Sequence, residues 1–281
     1  MAESTRAVHK LHPGPSLRES VDVRELHAAL IDLVRTWVQT RAEVKRTPYG
    51  VIVRDERHPL VHEANMAWVE RSPEGGVGEI LGGLDDAFHG TGVRHRYVLY
   101  SDAQGAFEAQ ESFIGHGFQA LAEVVMAKVG LPSCIVNPDL SIRETGSEAP
   151  QDDYRIVQET VQAESGYSRE ESDQVNEVER ARGLAVGERV FVGYLDDEPV
   201  STYTLWPHGT FALIGNVATL PRFRMRGVGR TMIFDACRRA IQARAEYALL
   251  TSNLFDTPQA MYKTLGFEPV GEIRGFLHRR P

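Results

Sequence analysis

At 281 residues the chain is long enough for two domains of ordinary size, and 42% hydrophobic with 25% charged residues excludes an extensively disordered protein. Its 39 acidic against 31 basic residues give a net charge of −8, which leaves no excess positive field to hold a nucleic-acid backbone and suits a cationic substrate better. Cys134 and Cys237 are too few for a disulfide framework and fit a reducing cytosol. No apolar run approaches the roughly 20 residues of a bilayer span. Met1–Ser20, with Pro13, Pro15 and no apolar core, does not read as a signal peptide. The expectation is a cytoplasmic protein with neither a nucleic-acid nor a membrane partner.

In chain order, Leu26, Ala29, Leu30, Leu33, Val34 and Trp37 recur at helical spacing and predict a helix over 22–45, with Asp22 as its cap. Short strands follow at 49–54 and 65–69. Between them His58 and His62 have the spacing of a metal pair on a helix, but Pro59 argues against a helix there, and no metal site is expected. Gly75-Gly-Val-Gly78 precedes a helix over 79–88, a strand over 95–102, a helix through Ala106–Phe113, and a strand or helix toward Met126.

Pro132, Pro138, Pro150 and Gly146 mark residues 132–150 as the crossing between domains. Residues 1–131 then form a first domain and 139–281 a second, with Asp139–Glu144 as its opening strand. Helices are expected over 152–164 and 168–182, the latter started by a Ser168/Glu171 capping box. A hairpin follows, 189–195 with 200–206, turning at Asp196-Asp-Glu-Pro199. A strand over 211–219, a helix with Ile233, Phe234, Cys237 and Ile241 on its buried face, and an apolar strand over 246–252 make a right-handed unit with parallel strands. A short helix carries Ala260, Met261, Tyr262 and Leu265 and stops at Gly266, a left-handed C′ position. Closing strands lie within 268–278.

The stretch from Val217 to Arg230 carries the chemistry. A strand runs into a loop of four arginines and two glycines, and a helix starts at once, so free backbone N–H groups and the positive end of a helix dipole meet in the loop. An anion, above all a phosphate, belongs there. Gly76-Val-Gly78 repeats Gly227-Val-Gly229, and the distance from Gly78 to Asp102 equals that from Gly229 to Asn253, 24 residues. This matched order reads as duplication of one fold. Carboxylates flank the first loop, Glu74 and Glu79, so only the second should bind phosphate.

These residues resemble the GCN5-related N-acetyltransferase (GNAT) superfamily. Arg224-Met-Arg-Gly227-Val-Gly229 matches its phosphate-loop signature, and Asn253, Ala260, Tyr262 and Leu265-Gly266-Phe267 match its second motif, covering about residues 186–272. The N-terminal half looks like a degenerate copy. The resemblance implies an α/β fold with a mixed sheet, the acyl-CoA N-acyltransferase fold, in tandem. It implies acetyl-CoA as co-substrate and no metal. Arg224, Met225, Arg226, Gly227, Val228, Gly229 and Arg230 would cradle the pyrophosphate. Val217, Ala218 and Thr219 would pair with the pantetheine arm where the parallel strands splay, and a backbone N–H, that of Val217, would polarise the thioester carbonyl. Asn253 and Tyr262 would touch the cofactor arm, with Tyr262 as general acid and Asn216 holding a water.

Many members carry a glutamate on the strand before the loop, and Phe211–Asn216 contains no acid. The candidates for the base are a water chain, or Glu272 or His278 from the closing strands, and the base stays unassigned. The resemblance implies a small-molecule or peptide amine acceptor. Two other functions fit the same residues: a CoA-binding regulatory or assembly module without turnover, and a transferase using another acyl-CoA. Neither the acceptor nor the oligomeric state is written in the sequence.

Overall fold

The computed structural model describes residues 22–146, 150–254 and 258–279. The expectations for Met1–Ser20, and the part of the second motif at 255–257, lie outside the described residues.

The N-terminal half opens with α1 (Val23–Gln39), capped by Asp22, whose side chain accepts from Arg24 N. The helix stops at Thr40 rather than at 45. Thr40 is extended and Arg41 is left-handed, and residues 43–47 turn out to be a strand. Strands β1 (Glu43–Thr47) and β2 (Gly50–Arg54) form a hairpin, followed by a 3-10 turn at His62–Ala64 and β3 (Met66–Val69). Then come α2 (Gly76–Phe88), β4 (His95–Tyr100), α3 (Ala103–Gly115) and β5 (Gln119–Val129), the last settling the segment toward Met126 as strand.

The C-terminal half repeats this order behind its own strand and helix pair. It runs β6 (Ser141–Glu144), α4 (Gln151–Glu164), α5 (Arg169–Val186), β7 (Arg189–Leu195), β8 (Glu198–His208), β9 (Phe211–Thr219), α6 (Val228–Gln242), β10 (Tyr247–Asn253), α7 (Pro258–Thr264) and β11 (Glu268–Arg279). The capping box at Ser168 and Glu171 is formed, and Gly266 is left-handed with φ 83°. Helix α6 buries Ile233 and Cys237 together with Met232, Ala236 and Ala240, while Ile241 is exposed. The face is rotated from the expected one because Asp235 turns inward to accept from Tyr203 Oη at 2.6 Å.

Among the described residues the strands form one 11-stranded sheet in the order β1-β2-β3-β4-β11-β5-β10-β9-β8-β7-β6. The crossing is β5 with β11. Strand β5 of the first half pairs with β10 of the second, and β11 of the second pairs with β4 of the first. The two closing strands pair antiparallel with each other between them. The expected boundary near 131–139 therefore separates stretches of sequence, but each half is finished by the other's last strand.

Helix α1 strengthens this interlock. Its Leu26, Leu30 and Leu33 share a core with Trp206, Tyr247 and Leu249 of the second half. Arg182 of α5, 3% exposed, donates to the carbonyls of Val38 (2.8 Å), Glu63 (3.2 Å) and Thr40 (3.3 Å). Two of these carbonyls lie at the C-terminal end of α1, where a cation is favoured. Replacing Arg182 with Met strands three acceptors, one buried and two part-buried. Chemical denaturation is expected to show a loss of about 2–4 kcal/mol.

Candidate active site

The parallel strands β9 and β10 pair only at their beginnings, Phe211 with Tyr247, Ala212 with Ala248 and Leu213 with Leu249. Beyond that point β9 leaves β10. The cause is a bulge: Thr202 on β8 faces Ala218 while Thr204 faces Gly215, so β9 holds one residue more than its partner. Asn216 sits in that bulge at φ 47°, a left-handed conformation that asparagine tolerates better than most residues. Gln158 of α4 pins it, donating at 2.8 Å to both Asn216 O and Thr202 Oγ1. Ala218 O accepts from Ser201 on β8, whereas Thr219 O accepts from Arg224 on the other side. By alternation, Val217 turns its N–H and C=O toward the open gap.

The arginine and glycine loop closes one end of this gap. Met225 and Gly227 are left-handed, at φ 61° and 77°, and α6 begins without a side-chain cap. Its first N–H groups, from Val228 to Arg230, thus face the loop. Asn137, from the crossing segment, buttresses the turn: its N–H donates to Thr231 Oγ1 at 2.7 Å and its side chain to Arg226 O at 3.2 Å. The four arginines are not equivalent. Arg222 pairs with Glu198, and Arg224 forms a fork on Glu164 of α4 at 2.5 and 2.8 Å while reaching Thr219 O. Arg224, expected to bind phosphate, instead ties the loop to α4. Arg226 lies over the Phe223 ring, and it and Arg230 are exposed.

The first loop is built differently. Glu79 folds back so that its carboxylate accepts from Gly75 N at 3.2 Å, satisfying the start of α2 with the chain's own anion. Strands β3 and β4 pair to the end, Val69 with Tyr100, and Ser101 N still bonds Val69 O. No bulge interrupts β2 against β3. The N-terminal copy has neither gap nor open loop.

A cavity of about 530 Å³ continues inward from the β9–β10 gap. Asn216, Val217, Asn253 and Tyr262 line it, so the structure gathers these expected site residues around one space. Tyr262 is buried in the C-terminal core. Asn216 does not present a free amide: its Nδ2 donates to Glu179 Oε2 at 3.1 Å. Met225 to Arg230 stay at the loop, outside this cavity.

The cavity also holds the carboxylates the sequence left out. Glu179 projects from α5, and Glu188 lies just beyond the α5 cap, Gly187. Both also line a second cavity of about 600 Å³ between α4, α5 and β6–β7, so with Thr204 and Asn216 they form the partition between the two. A Cβ on Gly183 would meet the Glu188 carboxylate at 2.7 Å, so this glycine makes the room for it. Burial pushes the Glu188 carboxyl up to about 7. Glu179 rises to about 8, through burial first and then repulsion from Glu63 and Glu188, against the opposing pull of Arg182 and the Asn216 bond. Neither Glu272 nor His278 lines the cavity. Glu272 is paired with Arg274, and His278 packs on Phe118. His58 bonds Asp55 and His62 meets His95 edge-on, so the two point to different partners.

The profile of the acetyltransferase (GNAT) domain matches residues 186–269, which span β7 to the start of β11 and so contain the bulge, the loop and α7. That match places a GNAT acetyltransferase domain at residues 186–269 of this chain. Over nearly its whole length it is similar in fold to the GCN5-related N-acetyltransferase from Kribbella flavida, at 17% identity and TM-score 0.60, covering 93% of this chain and 96% of that one. A functionally unknown conserved protein from Staphylococcus epidermidis ATCC 12228 superposes at TM-score 0.67 and 15% identity, covering 86% and 96%. A tandem GNAT protein from the clavulanic acid biosynthesis pathway does so at 0.54 and 14%, covering 91% and 95%. No curated protein matches by sequence. The mixed-sheet fold is thus shared with these structures, and the tandem GNAT arrangement with the last of them.

Proposed function

We propose that this GNAT protein moves an acetyl group from acetyl-CoA to an amine, using the C-terminal half for the donor and the central cavity for the acceptor. The observation that carries this reading is the bulge-opened gap between β9 and β10, which runs from an uncapped helix N-terminus to a pair of carboxylates. The loop amides from Met225 to Arg230 hold the pyrophosphate, helped by Arg226 and Arg230. The gap beside Val217, Ala218 and Thr219 takes the pantetheine arm, with Asn253 and Tyr262 alongside.

In this reading the neutral amine nitrogen attacks the thioester carbonyl carbon. The C–N bond forms, the carbonyl oxygen takes negative charge facing Val217 N–H, and the C–S bond then breaks. Glu188 accepts the proton from the amine. Tyr262 gives its phenolic proton to the leaving thiolate and recovers one from solvent. Glu188 suits the task because a base with a pKa near the working pH is ionised and still accepts a proton readily. Glu179, held by Asn216, is the neighbour that the Glu188 charge helps to raise to about 8. The two titrate as a coupled pair.

Thiol release from acetyl-CoA with a panel of primary amines tests the activity. Turnover is expected with at least one amine, and kcat/KM should rise with pH through a limb between about 7 and 8, where the carboxylate pair loses its proton. Saturable acetyl-CoA binding without thiol release for any amine would favour a CoA-binding module instead.

A further inference from the structure

Four carboxylates line the central cavity, Glu63, Glu123, Glu179 and Glu188, and among the described residues no lysine, arginine or histidine lines it. Two of them, Glu63 from the 3-10 turn and Glu123 from β5, come from the N-terminal half. Repulsion links them in a row: Glu63 raises both Glu123 and Glu179, and Glu188 raises Glu179. Arg182 is a cation coupled to Glu63 and Glu179, but its guanidinium is already bonded to three backbone carbonyls. Glu63 and Glu123 are open to the cavity, though protein surrounds Glu123 closely enough that burial is the first cause of its raised carboxyl.

A separate observation concerns Thr204. It is 1% exposed, lines the same cavity, and its Oγ1 has no hydrogen-bond partner among the described residues, although it stands near enough to Glu188 to favour that carboxylate's charge. A buried hydroxyl of this kind is costly unless a ligand or water completes it. Between the carboxylates the wall is apolar, with Trp37, Leu99, Leu121 and Ile273. A single ammonium would neutralise one end of the row and leave the other repelling, whereas two ammonium groups joined by methylenes match both the charges and the wall.

We infer that the acceptor is an alkyl diamine or polyamine, its distal ammonium held by Glu63 and Glu123 and its reacting nitrogen placed beside Glu188 and Thr204. This rests on the acetyl-transfer reading above for the chemistry, but not for the binding. The N-terminal copy, having lost the donor site, supplies the half of the acceptor site that counts charges.

Calorimetry with the full chain, without acetyl-CoA, tests it using 1,4-diaminobutane, spermidine and n-butylamine. At least one of the first two should bind tenfold or more tighter than n-butylamine. Glu63→Gln and Glu123→Gln, on different elements, should each erase most of that difference while leaving n-butylamine and acetyl-CoA affinities unchanged. Equal affinities for all three amines, or loss of monoamine and diamine binding alike in both folded variants, would overturn the inference. Diamine preference without acetyl-CoA binding would sink the proposed activity and leave the inference standing. Acetyl transfer to n-butylamine as efficient as to the diamines would do the reverse.

Discussion

Replacing Glu188 with Gln is expected to lower kcat/KM for the best amine by about 10²–10³-fold and to remove the rising limb near pH 7, leaving the acetyl-CoA dissociation constant unchanged. The amide keeps the size of the side chain, so the space made by Gly183 stays filled and the fold is not the variable. What disappears is the proton acceptor. The sign of the pH effect follows from the direction of the shift. Burial raises the Glu188 carboxyl to about 7, so below that pH it is protonated and unable to act, and activity is gained as pH rises through it. Glu179→Gln makes the complementary test. It removes the group that titrates near 8 and leaves Glu188, which burial alone raises, so the limb near pH 7 should stay with a smaller loss of rate. A pH profile of kcat/KM for wild type and both variants separates the roles. If E188Q retains both rate and limb, the base is another group.

Gly227→Asp should abolish acetyl-CoA binding, a loss of about 100-fold or more by calorimetry, while Gly78→Asp leaves it intact. Gly227 caps α6 in a left-handed conformation, and no atom lies within 4 Å of where a Cβ would stand. An aspartate there meets no clash and carries about 1–2 kcal/mol of backbone strain, so the protein should remain folded. Its carboxylate would accept from the first N–H groups of α6 and place a negative charge where the pyrophosphate must lie. The N-terminal loop already has this arrangement, with Glu79 bonded to Gly75 N. G227D is in effect the first copy's chemistry transplanted into the second. Circular dichroism would verify the fold, and binding that survives in folded G227D would rule out the loop as the pyrophosphate site.

Local patterns were legible wherever neighbours in sequence are neighbours in space. The capping box at Ser168 and Glu171, the left-handed Gly266 and the parallel β9–α6–β10 unit all follow from short spacing rules, and each is present. The contrast between the two glycine loops was visible from Glu79 alone. The sequence is less legible where a residue's partner is remote. Arg224 opens the phosphate-loop signature, and only the fold shows that Glu164, distant in sequence on α4, takes its guanidinium. The 22–45 helix was drawn too long because Glu43–Thr47 gains its strand character from pairing with β2. The closing strands were assigned to the half they follow, whereas β5 and β11 each complete the sheet of the other.

By itself the sequence pointed to a GNAT domain and to a loop suited to an anion, because such a loop uses consecutive backbone amides and needs only glycines, a strand before them and a helix after. Tertiary structure alone brought the cavity carboxylates together. Glu63, Glu123, Glu179 and Glu188 reach one cavity from a turn, a strand, a helix and the end of that helix, drawn from both halves. In the sequence each is indistinguishable from a solvated glutamate. Only the strand exchange and the packing of α1 and α5 enclose them together; burial then raises Glu188, and burial with repulsion from Glu63 and Glu188 raises Glu179.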